Sequence, residues 1–405
     1  MPRDESRTLL ADHLERAGRK LLATEGPSLA PLAHSGYAEG ARSRIDTAYG
    51  RWEQQIHRWI VRREPRVRRL LDMMTGVCAW GLIVIPLLFS VHMPMVPVLF
   101  AFLLQSYWLY RTLRMVVYAS LGAFRVRVHG RIDWHKHYEA EKARGKPVLS
   151  WDEIHHLVII PNYNEPVCKL RANLESLAQQ RELASRIWVI LAMEAREPGA
   201  AEKARALQRE FRGRLGALYY TLHPDVPAGK IATKAANETW AALWARRHFV
   251  DRLGYPMRRI TVTSCDADSV FHRQYFACLN YHFATDPERH YRLWQPPVFY
   301  HNNIWQVPTF IRFTAVFMGI WQLASLADPD LYTWPCSTYS ASLTLLDAVG
   351  YWDPDVIGDD QHILLQCFFK RRGRVALAAT YLPVLADAPL STNLFRTAVN
   401  RYEQA

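Results

Sequence analysis

The chain changes hydrophobic texture twice. Residues 1–70 are polar and charged and close on a basic block, RWEQQIHRWIVRREPRVRRL. Two uncharged apolar runs follow, MMTGVCAWGLIVIPLLFSVH (73–92) and MPMVPVLFAFLLQSYWLY (93–110), each about the length that crosses ~30 Å of hydrocarbon. Pro94 and Pro97 stand between them and suit a tight turn, so the pattern predicts a transmembrane hairpin over 71–118. From about residue 150 the texture becomes that of a soluble α/β domain. HHLVII (155–160), RIWVILAM (186–193) and RRITVTSC (258–265) read as buried strands. EPVCKLRANLESLAQQ, GAAEKARALQREFRGRL and KIATKAANETWAALWARRHF read as the helices between them. Strands alternating with helices predict an α/β fold with a doubly wound, mostly parallel sheet. The expected organisation is a basic N-terminal region (1–70), the hairpin, a linker (119–149) and a catalytic domain (150–405). Residues 310–326, FIRFTAVFMGIWQLASL, are apolar nearly all round but contain Arg312. They predict a helix on the membrane surface or under the core.

Charge sharpens this picture. The net charge is +12, which by itself implies an anionic partner. Arg66, Arg68 and Arg69 precede the hairpin, and Arg111, Arg114, Arg125 and Arg127 follow it. By the positive-inside rule both ends face the cytoplasm. Much of the basic excess then belongs to a membrane surface, and a nucleic-acid partner is not expected. The six cysteines are dispersed and form no C-x-x-C pair, which argues against a disulfide framework or zinc ribbon. The first 70 residues carry no apolar core of a signal peptide.

Candidate chemistry clusters where the predicted strands end. CDADS puts Asp266 and Asp268 one residue apart directly after the third strand, beyond the carboxyl end where ligands bind in such sheets. Two further D-x-D copies, Asp328-Pro-Asp330 and Asp353-Pro-Asp355, sit in turn-like contexts. After the first strand comes PNYNEP, in which Pro161, Tyr163, Asn164 and Glu165 suit stacking and hydrogen bonding to a nucleobase and ribose, or an ordinary turn. GKIATKAAN offers Lys230, Lys234 and Asn237 at a helix start, suited to phosphate or simply to solvent. Asp359 and Asp360 precede an apolar-periodic helix, where capping is the plain role for one of them. A zinc hydrolase built on His155, His156, His282, His290 or His301 is disfavoured, since no pair has the i, i+4 spacing of a zinc helix.

In this order the clusters resemble the membrane-bound members of glycosyltransferase family 2, the group of cellulose and hyaluronan synthases. VIIPNYNEP is similar to that family's first-strand signature, KAAN to its K-A-x-N element, CDADS to its D-x-D, and VGYWDPDVIGDDQHI to its T-E-D stretch. PCSTYSAS (335–342) lies where the family carries its acceptor platform. The resemblance covers roughly 150–405 and implies a GT-A type nucleotide-sugar transferase fold. It implies an inverting transfer from a nucleotide-sugar donor, UDP-linked by the same likeness, to a glycan or lipid-linked acceptor. Mg2+ or Mn2+ would sit on Asp268, with Asp266 on ribose or the metal and Asp360 as general base. Pro161, Tyr163, Asn164, Glu165, Glu194, Lys234 and Asn237 would hold the nucleotide sugar, and Cys336, Ser337 and Gln404 would lie on the acceptor side.

The chain also departs from the family. T-E-D becomes Gly358-Asp359-Asp360, the next acidic position is His362, and Glu194 stands in LAMEARE only as the nearest acid after the second strand. The Q-x-x-R-W motif would begin at Gln404 and run past Ala405. The resemblance thus implies a chain cut inside that motif, able to bind a nucleotide sugar but a poor catalyst as written. These departures leave a rival, a non-catalytic membrane subunit that keeps the fold as a binding module. The expected location is the inner or plasma membrane with a cytoplasmic catalytic domain. Cysteine-accessibility labelling of intact cells at positions near 50 and 200 should therefore give no signal, and labelling at one site alone overturns the hairpin.

Overall fold

Continuous apolar runs have both faces to bury, and the structure buries them in the middle of a sheet. This computed structural model describes Arg66 and residues 69–90, 92–180, 182–224, 233–331, 333–356 and 358–389. The three expected strands are β1 (His155–Asn162), β2 (Ile187–Glu194) and β4 (Ile260–Ser264). The sequence pattern did not mark β3 (Ala217–His223), an edge strand whose side chains are mostly half-buried and so lack a continuous apolar signature. β6 (Arg292–Gln295), β8 (Tyr339–Ser342) and β9 (Ala376–Ala379) complete a seven-stranded sheet in the order β3-β2-β1-β4-β8-β6-β9. Only β8 runs against its neighbours, so the sheet is mostly parallel, as expected.

Side-chain alternation sorts the core into two layers. Val158, Ile160, Val189 and Leu191 pack with Leu170, Leu174, Leu207 and Phe276 from three helices on one face. Leu157, Ile159, Trp188 and Ile190 pack with Ala241, Leu345 and Ile363 on the other. The chain winds from β1 through β2 to β3, then returns to place β4 on the opposite side of β1. A crevice opens at such a reversal, beyond the carboxyl ends of β1 and β4. A small second sheet, β5 (Val270–Phe271), β10 (Val384–Leu385) and β7 (Val298–Phe299), flanks that crevice in the order β5-β10-β7.

The chain divides into two units, Met1–Phe102 and Leu103–Ala405. Among the described residues two helices are long and apolar enough to cross a membrane, Arg69–Ser90 and Thr309–Ala327. The first is the first expected run and is wholly unburied. The second expected run lies instead within a 35-residue helix, Met95–His129, which continues well past the expected end at 118. Helix Thr309–Ala327 is half-buried: Ile311, Ala315 and Gly319 face inward while Phe310, Phe313 and Phe317 are exposed. That matches a helix that covers the core on one side. The stretch 119–149, expected as a linker, carries helix Trp134–Ala143, whose Trp134 and Tyr138 are buried beside Tyr281 and Trp151. The Asp328-Pro-Asp330 turn has a structural job, since Arg114 Nε donates to Asp328 Oδ2 at 3.2 Å and Arg114 also pairs with Asp330.

Candidate active site

Asp266 leaves the end of β4 into the crevice and meets Lys234 from the first residue of helix Lys234–Ala245. Lys234 Nζ is 2.9 Å from Asp266 Oδ1, 3.7 Å from Asp359 Oδ2, and 3.8 Å from both Asp360 Oδ1 and Glu238 Oε1. Desolvation opposes the ammonium charge, but four carboxylates outweigh it and hold Lys234 well above the usual lysine range. Desolvation likewise opposes ionisation of Asp266, yet Lys234 and the Ser337 hydroxyl outweigh it, and its carboxyl titrates below the ordinary value. Thr233 caps this helix through the Ala236 N–H and bonds Pro354 O at 2.6 Å, fixing where Lys234 points.

Asp359 and Asp360 lie in the first turn of helix Asp359–Lys370, where the helix dipole favours negative charge. The capping expectation is not met by either: Gly358 occupies the cap position, with no side-chain cap hydrogen bond. Asp359 is buried instead and turned toward Lys234. Asp360 Oδ2 accepts the Ser337 N–H at 2.7 Å, while among the described residues Oδ1 has no hydrogen-bond partner. Burial raises the Asp360 pKa, Lys234 lowers it, and the neighbouring Asp359 and Asp266 raise it again, leaving it above the ordinary value. A carboxylate with one oxygen anchored and the other free of hydrogen bonds, with only the Lys234 ammonium 3.8 Å away, is suited to take a proton.

Asp268 is held differently. Its Oδ2 accepts the Asp387 N–H at 2.9 Å and its backbone carbonyl accepts Asn302 Nδ2 at 2.9 Å. Burial, with Asp266 and Asp387 nearby, pushes its pKa up to about 6. A cation beside it would relieve that penalty. The donors are hard oxygens, which fit Mg2+ or Mn2+ held by one or two carboxylates and completed by phosphate oxygens. Among the described residues no three His, Cys, Asp or Glu side chains are grouped to hold a metal by themselves. Of the histidines weighed for zinc and disfavoured, His155 stacks on Trp188 and His156 bonds Thr261 and Asn280.

The loop after β1 forms a second wall. Tyr163 is exposed and lies under the Arg196 guanidinium, 3.8 Å from its ring centre, and Arg196 also bonds Glu194. Asn164 takes a left-handed conformation, φ 57°, with its N–H donating to Glu197 Oε2 at 3.0 Å. Glu165 pairs with Lys169 at 3.0 Å, and Lys169 reaches Asp387 at 3.1 Å. Pro161 ends this group one residue before the close of β1. Asn237 stays beneath the crevice, bonding Ala192 O at 2.6 Å. Cys336 joins the site beside Ser337, its backbone held by Gln295. Gln404 and Lys230 lie outside the described residues.

Several site residues left no mark in the sequence reading. Glu197 accepts from Asn162 Nδ2 at 2.7 Å, from Asn164, and from Lys203. Glu238 is fully buried, takes the Ser264 hydroxyl at 2.7 Å, and burial drives its pKa far above the carboxylate range. Glu238 stands four residues after Lys234, a spacing that puts both on one helix face and could have flagged it.

Residues 261–401 match the family model described as Glycosyl transferase family group 2. The match spans β4, both aspartates of CDAD, the turn at Ser337 and Asp360. No curated protein sequence matches the chain. Among solved structures, the mannosyltransferase PcManGT from Pyrobaculum calidifontis, in complex with GDP-Man and Mn2+, is 15% identical with a TM-score of 0.39, covering 71% of each chain. S. aureus TarS 1-349 in complex with UDP-GlcNAc is 14% identical with a TM-score of 0.37, covering 59% of this chain and 60% of its own. Likenesses this loose carry no weight for the site, which stands on its own geometry.

Buried Glu197 and largely buried Lys203 form a pair that also anchors the loop through Asn162 and Asn164. Glu197→Ala should therefore cost about 3 kcal/mol of stability, since it leaves the Asn162 amide unpaired and the largely buried Lys203 ammonium with only the Glu165 carbonyl. Chemical denaturation checks this, with Glu197→Gln expected to lose less.

Proposed function

We propose that the protein is a membrane-bound, inverting glycosyltransferase that moves a sugar from a nucleotide-sugar donor, UDP-linked on the family likeness, to a glycan or lipid-linked acceptor. The observation that carries the reading is the pairing of Asp266 and Asp360 across Lys234 and Ser337 at the carboxyl edge of the sheet. Donor-side and acceptor-side carboxylates, distant in sequence, face one crevice. The match over 261–401 supports the same class.

In this reading Tyr163, Asn164 and Glu165 line the nucleobase and ribose side, with Glu194 holding Arg196 over the Tyr163 ring. Asp266 receives ribose hydroxyls or the cation, and Asp268 holds the cation. Asp266, Asp359 and Asp360 surround the single ammonium of Lys234, so a diphosphate arriving alone would meet like charge. A bound Mg2+ or Mn2+ supplies the compensating charge and Lewis acidity toward the leaving diphosphate. Asp360 Oδ1 accepts the proton of the acceptor hydroxyl as that oxygen attacks the anomeric carbon from the face opposite the diphosphate. A single displacement of this kind inverts the anomeric centre. Cys336 and Ser337 border the acceptor side. The wholly exposed apolar surface of Arg69–Ser90 supports a membrane anchor, and the arginines flanking the apolar runs support a cytoplasmic catalytic domain.

Two measurements test the reading on the full-length protein. In calorimetry with UDP, Mn2+ should strengthen binding and Asp268→Asn should remove that dependence; metal-independent binding refutes the metal role. Asp360→Asn should leave donor affinity within a few-fold and lower transfer by about two to four orders of magnitude, the usual range for a lost general base. Tight nucleotide binding with no transfer from any donor would point instead to a non-catalytic binding subunit.

A further inference from the structure

Cys336, Ser337 and Thr338 make an unusually tight turn. The Thr338 N–H donates to Cys336 O at 2.6 Å, and Ser337 between them has φ 59°. A hydrogen bond from i+2 back to i around a positive-φ residue is the rare, strained form of the γ-turn. For a residue with a Cβ it persists only where the surroundings over-determine it. They do so here. Buried Gln295 takes the Cys336 N–H on Oε1 at 2.9 Å and gives its Nε2 to Cys336 O at 3.2 Å, and Thr338 Oγ1 meets Ser269 Oγ at 3.2 Å.

The strained residue aims two donors at two carboxylates. Ser337 N–H reaches Asp360 Oδ2 at 2.7 Å, and Ser337 Oγ reaches Asp266 Oδ2 at 2.6 Å. Lys234 links the remaining oxygens, at 2.9 Å from Asp266 Oδ1 and 3.8 Å from Asp360 Oδ1. The two carboxylates are therefore bridged on both sides. Glycine would take this φ without strain but would offer no hydroxyl, so the side chain is what the strained turn retains.

We propose that Ser337 is a positioning residue that couples the two sides of the reaction centre: its N–H aims Asp360, and its hydroxyl ties that aim to Asp266. The inference rests on the glycosyl-transfer reading above. It predicts that the hydroxyl matters for turnover and not for holding the nucleotide.

Ser337→Gly relaxes the turn and Ser337→Ala keeps it strained; both keep the N–H and delete the hydroxyl. In the full-length protein, release of UDP or GDP from a panel of UDP- and GDP-linked sugars gives the rates. Both variants should lower kcat by about tenfold, the effect of one lost hydrogen bond to a charged group. Donor KM and UDP or GDP affinity should stay within about twofold, because Asp266 keeps its Lys234 contact and the loop after β1 holds the nucleobase side. On an Asp360→Asn background the same deletion should cost less than about twofold, since coupled residues are non-additive. Equal losses on both backgrounds, or unchanged kcat in both single variants, overturn the coupling while leaving the transferase reading intact. A parent protein that neither binds nor releases UDP or GDP overturns that reading, and the coupling with it.

Discussion

The ammonium group of Lys234 lies 2.9 Å from one carboxylate and 3.7–3.8 Å from three others, and the crevice is organised around it. Asp266, Asp359 and Asp360 gathered without that ammonium would repel one another, and buried Glu238 meets the same problem by holding its proton. Lys234 can serve all four only because its helix begins where Thr233 is tied to the Pro354 carbonyl. Asp359 and Asp360 can approach only because their own helix starts there, with its N-terminal dipole turned toward them. The positions of two helices, one strand end and one turn are thus joined through a single charge.

Asp268 lies outside that group and solves its burial differently. Its partners are the Asp387 N–H and, at its carbonyl, Asn302. Both come from segments bordering the small sheet: Asn302 follows β7, and Asp387 follows β10, which pairs with β5 just beyond Asp268. Lys169 then ties Asp387 to Glu165, so the loop after β1 and the D-x-D are connected through one more cation. The two aspartates of CDAD are only one residue apart, yet one is neutralised by lysine and the other is left at a raised pKa of about 6.

Much of the architecture follows from sequence because its causes are local. Short apolar runs rich in β-branched residues read as strands buried on both faces, so β1, β2 and β4 were legible, and with them the address of CDAD at a strand end. Apolar runs long enough to span a bilayer show themselves in the same way, though the second run turned out to belong to a longer helix. What the tertiary structure alone decided depends on contacts between distant segments. Asp328, dismissed with its D-P-D as a turn, is the partner of Arg114. Glu197 and Glu238 look like solvated helix or loop acids until folding removes their water. Asp359 and Asp360 are alike in residue type, and the structure separates them by burying Asp359 and giving Asp360 the Ser337 N–H. Hydrophobic periodicity is written within ten residues of chain, whereas the pairing of buried charges is set by which strand ends meet, and that is a property of the completed sheet.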